Sequence, residues 1–224
     1  LTEIEFQTLG SGNKYLIGRE AFAFNSKLTT VTISASLTNF PMGCFVFCTS
    51  LSSINLQYAT EIGQAAFRGT AITSADLRSL TTTSGINHFR DCQSLTSVRL
   101  PNNNSFTNLT REMFRGCSSL TTILVSESIQ SINRNCFMDC TSLNKILLPA
   151  SFLSLSSSGG DNSPFRNISS NRTVIIYDDR SYYYGTITVG SNSTTYTKNN
   201  STKLSKSVVL NALDSTETEL NNAG

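Results

Sequence analysis

Apolar residues recur along this chain with a period of about 23 residues, the mark of a repeat architecture. Phe22, Phe45, Phe67, Phe89, Phe114 and Phe137 head successive units. Six residues after the phenylalanine stands Leu28, Leu51, Leu95, Leu120 or Leu143; nine after it stands Val31, Ile54, Val98, Ile123 or Ile146. Eleven after it comes Ile33, Leu56, Leu100, Val125 or Leu148. The last two positions alternate as in a strand, and the step of three before them suits a turn feeding it, so each unit is predicted to hold one short strand. One unit cannot bury its own apolar positions. Stacked in parallel about 4.8 Å apart, neighbours bury them together, each side chain contributing roughly 1.5–3 kcal/mol before conformational entropy is subtracted.

Departures from the period locate irregularities. The third unit is one residue short between Phe67 and Ile72, and the fourth has Ser84 where an apolar residue is due, so local kinks are expected there. A seventh unit keeps register from Phe165 to Val174 and Ile176 but has Asn171 at the leucine position. It follows an insertion, Ser156 to Ser163 with Gly159-Gly160-Asp161, that reads as a surface loop. Leu1-x2-Ile4-x-Phe6 matches only the strand half of a unit; solenoid ends need covering, so further repeats or a cap are expected before Leu1.

Cysteine follows the phenylalanine by three at Cys48, Cys92, Cys117 and Cys140, and Ile17, Phe40, Ile62, Leu109 or Ile132 precedes it by five. Read as Ile-x4-Phe-x2-Cys-x2-Leu-x2-Ile-x-Leu, often followed by Pro as at Pro101 and Pro149, the unit resembles the BspA-like leucine-rich repeats of bacterial surface proteins. The match spans most of residues 1–177. The resemblance implies a leucine-rich-repeat solenoid, mostly β, with a parallel concave sheet and short helical turns and loops on the other side. Glu20-Ala21-Phe22 and Ala65-Ala66-Phe67 are the expected helical turns. It also implies a cell-surface or secreted protein that binds other macromolecules.

Residues 178–224 break the repeat with Tyr182-Tyr183-Tyr184, Thr186-Ile187-Thr188-Val189 and Val208-Val209-Leu210. This segment is expected to be a β-rich cap on the open end, or alternatively a polar linker running from Ser191 to Ser207.

Composition narrows the function. The 38% hydrophobic content suffices for a packed core, yet no apolar run of about 18 residues could span a bilayer, and no signal peptide opens the chain. Charged residues are 14% with a net charge of +2 and scattered basic positions, which argues against nucleic acid as a partner. His88 has no acid nearby at triad spacing and reads as a surface or packing residue. The cysteines read as small buried rungs; Cys44-x3-Cys48, Cys136-x3-Cys140 and the stacked Cys117 and Cys140 leave disulfides as the alternative, whereas zinc lacks four converging ligands. Chance accounts for most of the glycosylation-type sequons at Asn103, Asn108, Asn167, Asn171, Asn192, Asn199 and Asn200 in a chain so rich in Asn, Ser and Thr. Phosphate loops and paired carboxylates are missing from the sequence, so no enzyme, metal or cofactor is expected.

Alternation leaves one outward residue per strand between the nine-on and eleven-on positions: Glu5, Thr32, Asn55, Asp76, Arg99, Leu124, Leu147 and Ile175. Asn55, Asp76, Arg99, Leu124, Leu147 and Ile175 are the candidate partner-binding column. Its last three members form either an apolar contact patch or a surface covered by the carboxyl-terminal segment. The function that follows is a non-catalytic, adhesin-like protein-binding module whose partner, such as a host extracellular-matrix or serum protein, sits on the concave face. The alternative is a structural spacer presenting another domain.

Overall fold

Phe22, Phe45, Phe67, Phe89, Phe114, Phe137 and Phe165 stack into one column of rings, with centroids 5.2–5.8 Å apart and interplanar angles of 9–11°. The repeat thus builds a solenoid, seen in a computed structural model that describes residues 1–10, 13–154, 157–158, 163–178, 181–189, 193–199, 202–213 and 220. Offset or edge-on contacts suit aromatic quadrupoles, and the column ends in such contacts. Phe6 meets Phe22 edge-on at 6.4 Å, and Tyr196 meets Phe165 edge-on at 6.4 Å.

Two short strands, rather than one, come from a typical unit. The predicted strand appears as β1 (Glu3–Glu5), β2 (Thr30–Thr32), β4 (Ser53–Ile54), β6 (Ser74–Asp76), β8 (Ser97–Arg99), β10 (Thr122–Leu124), β12 (Lys145–Pro149) and β14 (Thr173–Asp178). Pairing is parallel and holds the nine-on residues in register: Ile4 with Val31 and Val31 with Ile54, then Ala75 with Val98, then Ile123 with Ile146 and Ile146 with Val174. The ladder breaks between β4 and β6 and again between β8 and β10. The first break falls at the short third unit, where Leu77 follows Phe67 by ten residues.

A second column, β3 (Asn39–Phe40), β5 (Glu61–Ile62), β7 (Thr82–Thr83), β9 (Asn108–Leu109) and β11 (Ser131–Ile132), carries the apolar position five before the phenylalanine. Phe40, Ile62, Leu109 and Ile132 point into the core from it. In the fourth unit Thr83 pairs with Ile62, and Ser84 is exposed just beyond.

The Ala-Phe segments, expected as short helical turns, are instead tight turns in which two residues, four apart, take positive φ. The residues two before and two after the phenylalanine sit there, as at Gly43 and Phe47, Asn87 and Asp91, and Glu112 and Gly116. From the first of these left-handed residues to the second, every second N–H points at the next unit. Phe45 N donates to Ala66 O at 2.9 Å, Phe67 N to His88 O at 3.0 Å and Phe114 N to Cys136 O at 2.9 Å, each flanked by two further bonds of the same kind. A continued helix would turn those donors back on its own chain. Gly69, at φ 70°, shows the tightness: a Cβ there would lie 2.5 Å from Phe47 Cδ1.

At the carboxyl end, β15 (Ser181–Val189) runs antiparallel to β14, and β16 (Ser193–Lys198) antiparallel to β15. Ile187 and Tyr196 enter the main core from this hairpin. A helix, α1 (Lys206–Leu213), follows. Of the insertion Ser156 to Ser163, only β13 (Ser157–Ser158), paired with β16, and Ser163 are described; the rest of the expected loop lies outside the described residues. Ser163 is buried and its Oγ accepts from Thr194 Oγ1 at 2.7 Å.

Truncating a ring with neighbours on both faces removes two contacts, so Phe114→Ala is expected to lower unfolding free energy by about 3–5 kcal/mol. Phe22→Ala, at the half-buried end of the column, should have a markedly smaller effect. Urea titrations compare the two; equal losses would mean that stacking does not govern the core.

Candidate functional site

The outward strand positions share one face, held by the backbone register beneath them. Glu5 pairs with Thr32, Asp76 with Arg99, Leu124 with Leu147 and Leu147 with Ile175. Thr32 and Asn55 are exposed, and Asp76 and Arg99 partly so. Asn55 does structural work as well: its Oδ1 accepts from Ile33 N at 3.0 Å and its Nδ2 donates to Ile33 O at 3.3 Å, tying its unit to the preceding one. Asp76 is bracketed by Arg78, whose Nε donates to both carboxylate oxygens at 3.0 and 2.9 Å. Burial pushes the Asp76 carboxyl up, but the bonds and charge of Arg78 outweigh it and hold the group below the usual carboxylate range.

Leu147 and Ile175, candidates for an open apolar patch, are fully buried, and Leu124 is partly buried. The carboxyl-terminal segment covers them. Val209, Leu213 and Leu220 are buried against Leu147, Ile175 and Tyr177, with Leu124, Tyr182, Leu204, Leu210 and Ala212 around the edge. Val209 and Leu213 stand four apart on one helical face, which lets α1 lay an apolar stripe on the aliphatic strand surface. Beneath it the Tyr177 hydroxyl donates to Val125 O at 3.1 Å, and burial raises its phenol.

The cysteines are rungs. All six are free thiols without exposed surface. Cys48, Cys92, Cys117 and Cys140 donate Sγ–H to the carbonyls of Phe22, Phe67, Phe89 and Phe114 at 2.9, 3.1, 3.2 and 3.1 Å. Burial pushes Cys92 and Cys140 up to about 12 and raises Cys44, Cys117 and Cys136 as well. Such groups stay protonated and are poor nucleophiles at neutral pH.

His88 is buried between two fixed partners. Its Nε2 lies 3.0 Å from Ser84 O and its Nδ1 3.0 Å from Thr110 Oγ1. Since a carbonyl only accepts, Nε2 carries the proton and Nδ1 accepts from the threonine. Burial lowers the imidazole to about 4, so it is neutral and serves packing.

The turn side carries an ion cluster that the repeat pattern did not announce. Glu112, 4% exposed at its side chain, meets Arg90 Nη1 at 2.6 Å, Arg111 Nε at 3.1 Å and Arg115 Nη1 at 3.5 Å. Asp91 and Asp139 extend the cluster through Arg68, Arg90 and Arg115. Its only sequence signal is arginine one after the phenylalanine at Arg68, Arg90 and Arg115. The role of α1 was also missed; the Val209 and Leu213 spacing is the trace it leaves. Among the described residues, no group of three or more His, Cys, Asp or Glu could hold a metal ion, and no helix is long and apolar enough to cross a membrane.

A sequence profile of the BspA type leucine rich repeat region matches in six copies, over residues 2–96, 60–188 and 107–215. No curated protein matches the sequence. Among solved structures, a leucine rich cell surface protein from Faecalibacterium prausnitzii is 20% identical, with 80% of this chain and 74% of that chain covered and a TM-score of 0.36. The T. pallidum leucine rich repeat protein is 22% identical, with 63% and 77% covered and a TM-score of 0.44. A leucine-rich repeat protein from Bacteroides ovatus is 18% identical, with 78% and 63% covered and a TM-score of 0.36.

Two outcomes test the buried polar groups. Cys117→Ala leaves the Phe89 carbonyl without its thiol donor and is expected to cost about 1–2 kcal/mol in urea unfolding; an unchanged midpoint would reduce the thiol to a space filler. His88 is depressed on folding from 6.5 to about 4, so the unfolded chain binds the proton more readily. Its contribution is present in full above pH 6.5 and is lost as pH falls toward 4, by on the order of 3 kcal/mol. His88→Gln should remove that part of the slope between pH 7 and pH 4, measured by urea titrations at each pH.

Proposed function

Because the chain belongs to the BspA-type leucine-rich repeat family, we propose that it is a non-catalytic, adhesin-like protein-binding module of a cell-surface or secreted bacterial protein. Its partner, a protein such as a host extracellular-matrix or serum component, binds the concave strand face. The observation that carries this reading is a contrast within the repeat. The inner columns repeat the same residue types in most units, whereas the outward positions run Thr32, Asn55, Asp76 and Arg99, different in shape at each step and in charge at the last two. A scaffold alone has no need of such variety. Recognition of a folded surface uses it, because polar groups of different geometry placed at fixed spacing give specificity. In the same reading residues 1–177 are the repeat body and residues 178–224 a β-rich cap.

The four thiols that donate to phenylalanine carbonyls, the neutral His88 and the arginine-paired Glu112 support the non-catalytic part, since each is buried and bonded inside the fold. A second reading, a spacer presenting another domain, draws support from the burial of Leu147 and Ile175, which removes these aliphatic side chains from the open strand face.

Binding of this chain to a panel of purified extracellular-matrix and serum proteins, run beside an Asp76→Arg/Arg99→Glu variant, separates the two. Saturable binding that weakens at least tenfold in a variant with unchanged melting supports a partner on the strand face. Binding unaffected by the variant moves the partner elsewhere, and no binding to any member of the panel favours the spacer.

A further inference from the structure

We propose that α1 is a displaceable cover over an apolar floor of the strand face, opening as a unit while the repeats stay folded and exposing Leu124, Leu147, Ile175 and Tyr177 to the apolar face of a partner's amphipathic segment. The purpose of such opening rests on the partner-binding reading above; the opening itself does not.

Two separate cores make it feasible. Along β12 and β14, Ile146, Leu148, Val174 and Ile176 face the main core, while Leu147, Ile175 and Tyr177 face a second cluster on the other side of the sheet. That second cluster is closed by Val209, Leu213 and Leu220. Lifting α1 therefore uncovers one face of the two strands and leaves the phenylalanine column and the thiol rungs untouched.

Among the described residues, the bridge of Leu204 with Tyr182 ties the backbone just before α1 to the sheet, and α1 packs on the sheet through Val209 and Leu213. Eight residues are too few to be helical alone in water, so α1 keeps its shape only while docked and comes away as a cooperative unit. The floor also extends past its cover. Leu124 is only partly buried at the rim, in register with Leu147, and gives an incoming segment an apolar foothold before α1 leaves. The docked helix shows what chemistry fits: two aliphatic side chains four residues apart, Val209 and Leu213, over β12 and β14.

Opening can be measured without any partner. All six native cysteines have no exposed surface, so a near-isosteric Val209→Cys variant of the full chain adds one thiol beneath the cover. Under native conditions, N-ethylmaleimide is expected to modify Cys at that position at least a hundredfold faster than the other six, giving a single adduct by intact mass. Modification of all seven thiols at one rate would mean that α1 comes off only when the whole chain unfolds, and would overturn the proposal. Hydrogen exchange on the unaltered chain guards against a variant that loosens its own helix. Amides of Val209 to Leu213 should exchange at least a hundredfold faster than those of Ile146 and Leu148, and equal protection would sink the idea. A chain that opens in both experiments yet binds no member of the protein panel keeps the movable cover and loses the partner-binding reading.

Discussion

Every unit of this solenoid must set its phenylalanine ring over the next, and most of the other features follow from that spacing. Rings 5.2–5.8 Å apart and within 9–11° of parallel leave little freedom in rise or tilt. The turn that carries the ring must hand alternate N–H groups to the neighbour, and left-handed residues two before and two after the ring bracket the stretch that does so. The cysteine three residues on sits where it can reach the carbonyl of the preceding phenylalanine. Backbone, ring and thiol thus join the same two units at one level. Stability in such an array is shared between neighbours instead of residing in single units.

With the inside so constrained, differences between units collect on the two outer surfaces. On the turn side they appear as a ring of arginines around Glu112, whose buried carboxylate is tolerated because three guanidinium groups surround it. On the strand side they appear as a change of polarity along the array. Early units present threonine, asparagine, aspartate and arginine; the last ones present aliphatic residues that α1 covers.

The inner columns were legible because they are periodic, and periodicity survives in a single sequence. Leu28, Ile54, Val98 and their equivalents predicted the first strand column and its register, and the resemblance they carried gave the family. The second strand column was hidden: two-residue strands such as Asn39–Phe40 exist only through pairing with the next unit, so no local pattern marks them. The turns were hidden for a related reason. Glycine or asparagine at a left-handed position is a signal, but Glu20, Ala65 and Glu112 also occupy that region and carry none. Of the outward column, Asp76, Arg99, Leu124, Leu147 and Ile175 lie within strands and Asn55 just past one, and the burial of Leu147 and Ile175 depends on a helix about 60 or 30 residues further along the chain. Tertiary contact of that range decides between patch and core.

Thiol rungs have a consequence for how such an array can change over generations. A disulfide between units binds cysteines in twos, so losing one unit strands a partner and exposes a reactive sulfur. Here each cysteine three after the phenylalanine asks only for a carbonyl on its neighbour, which the preceding unit supplies. Duplication or deletion of a single repeat therefore leaves these rung thiols with a carbonyl to bond, and the array can lengthen or shorten one step at a time without stranding half of a disulfide.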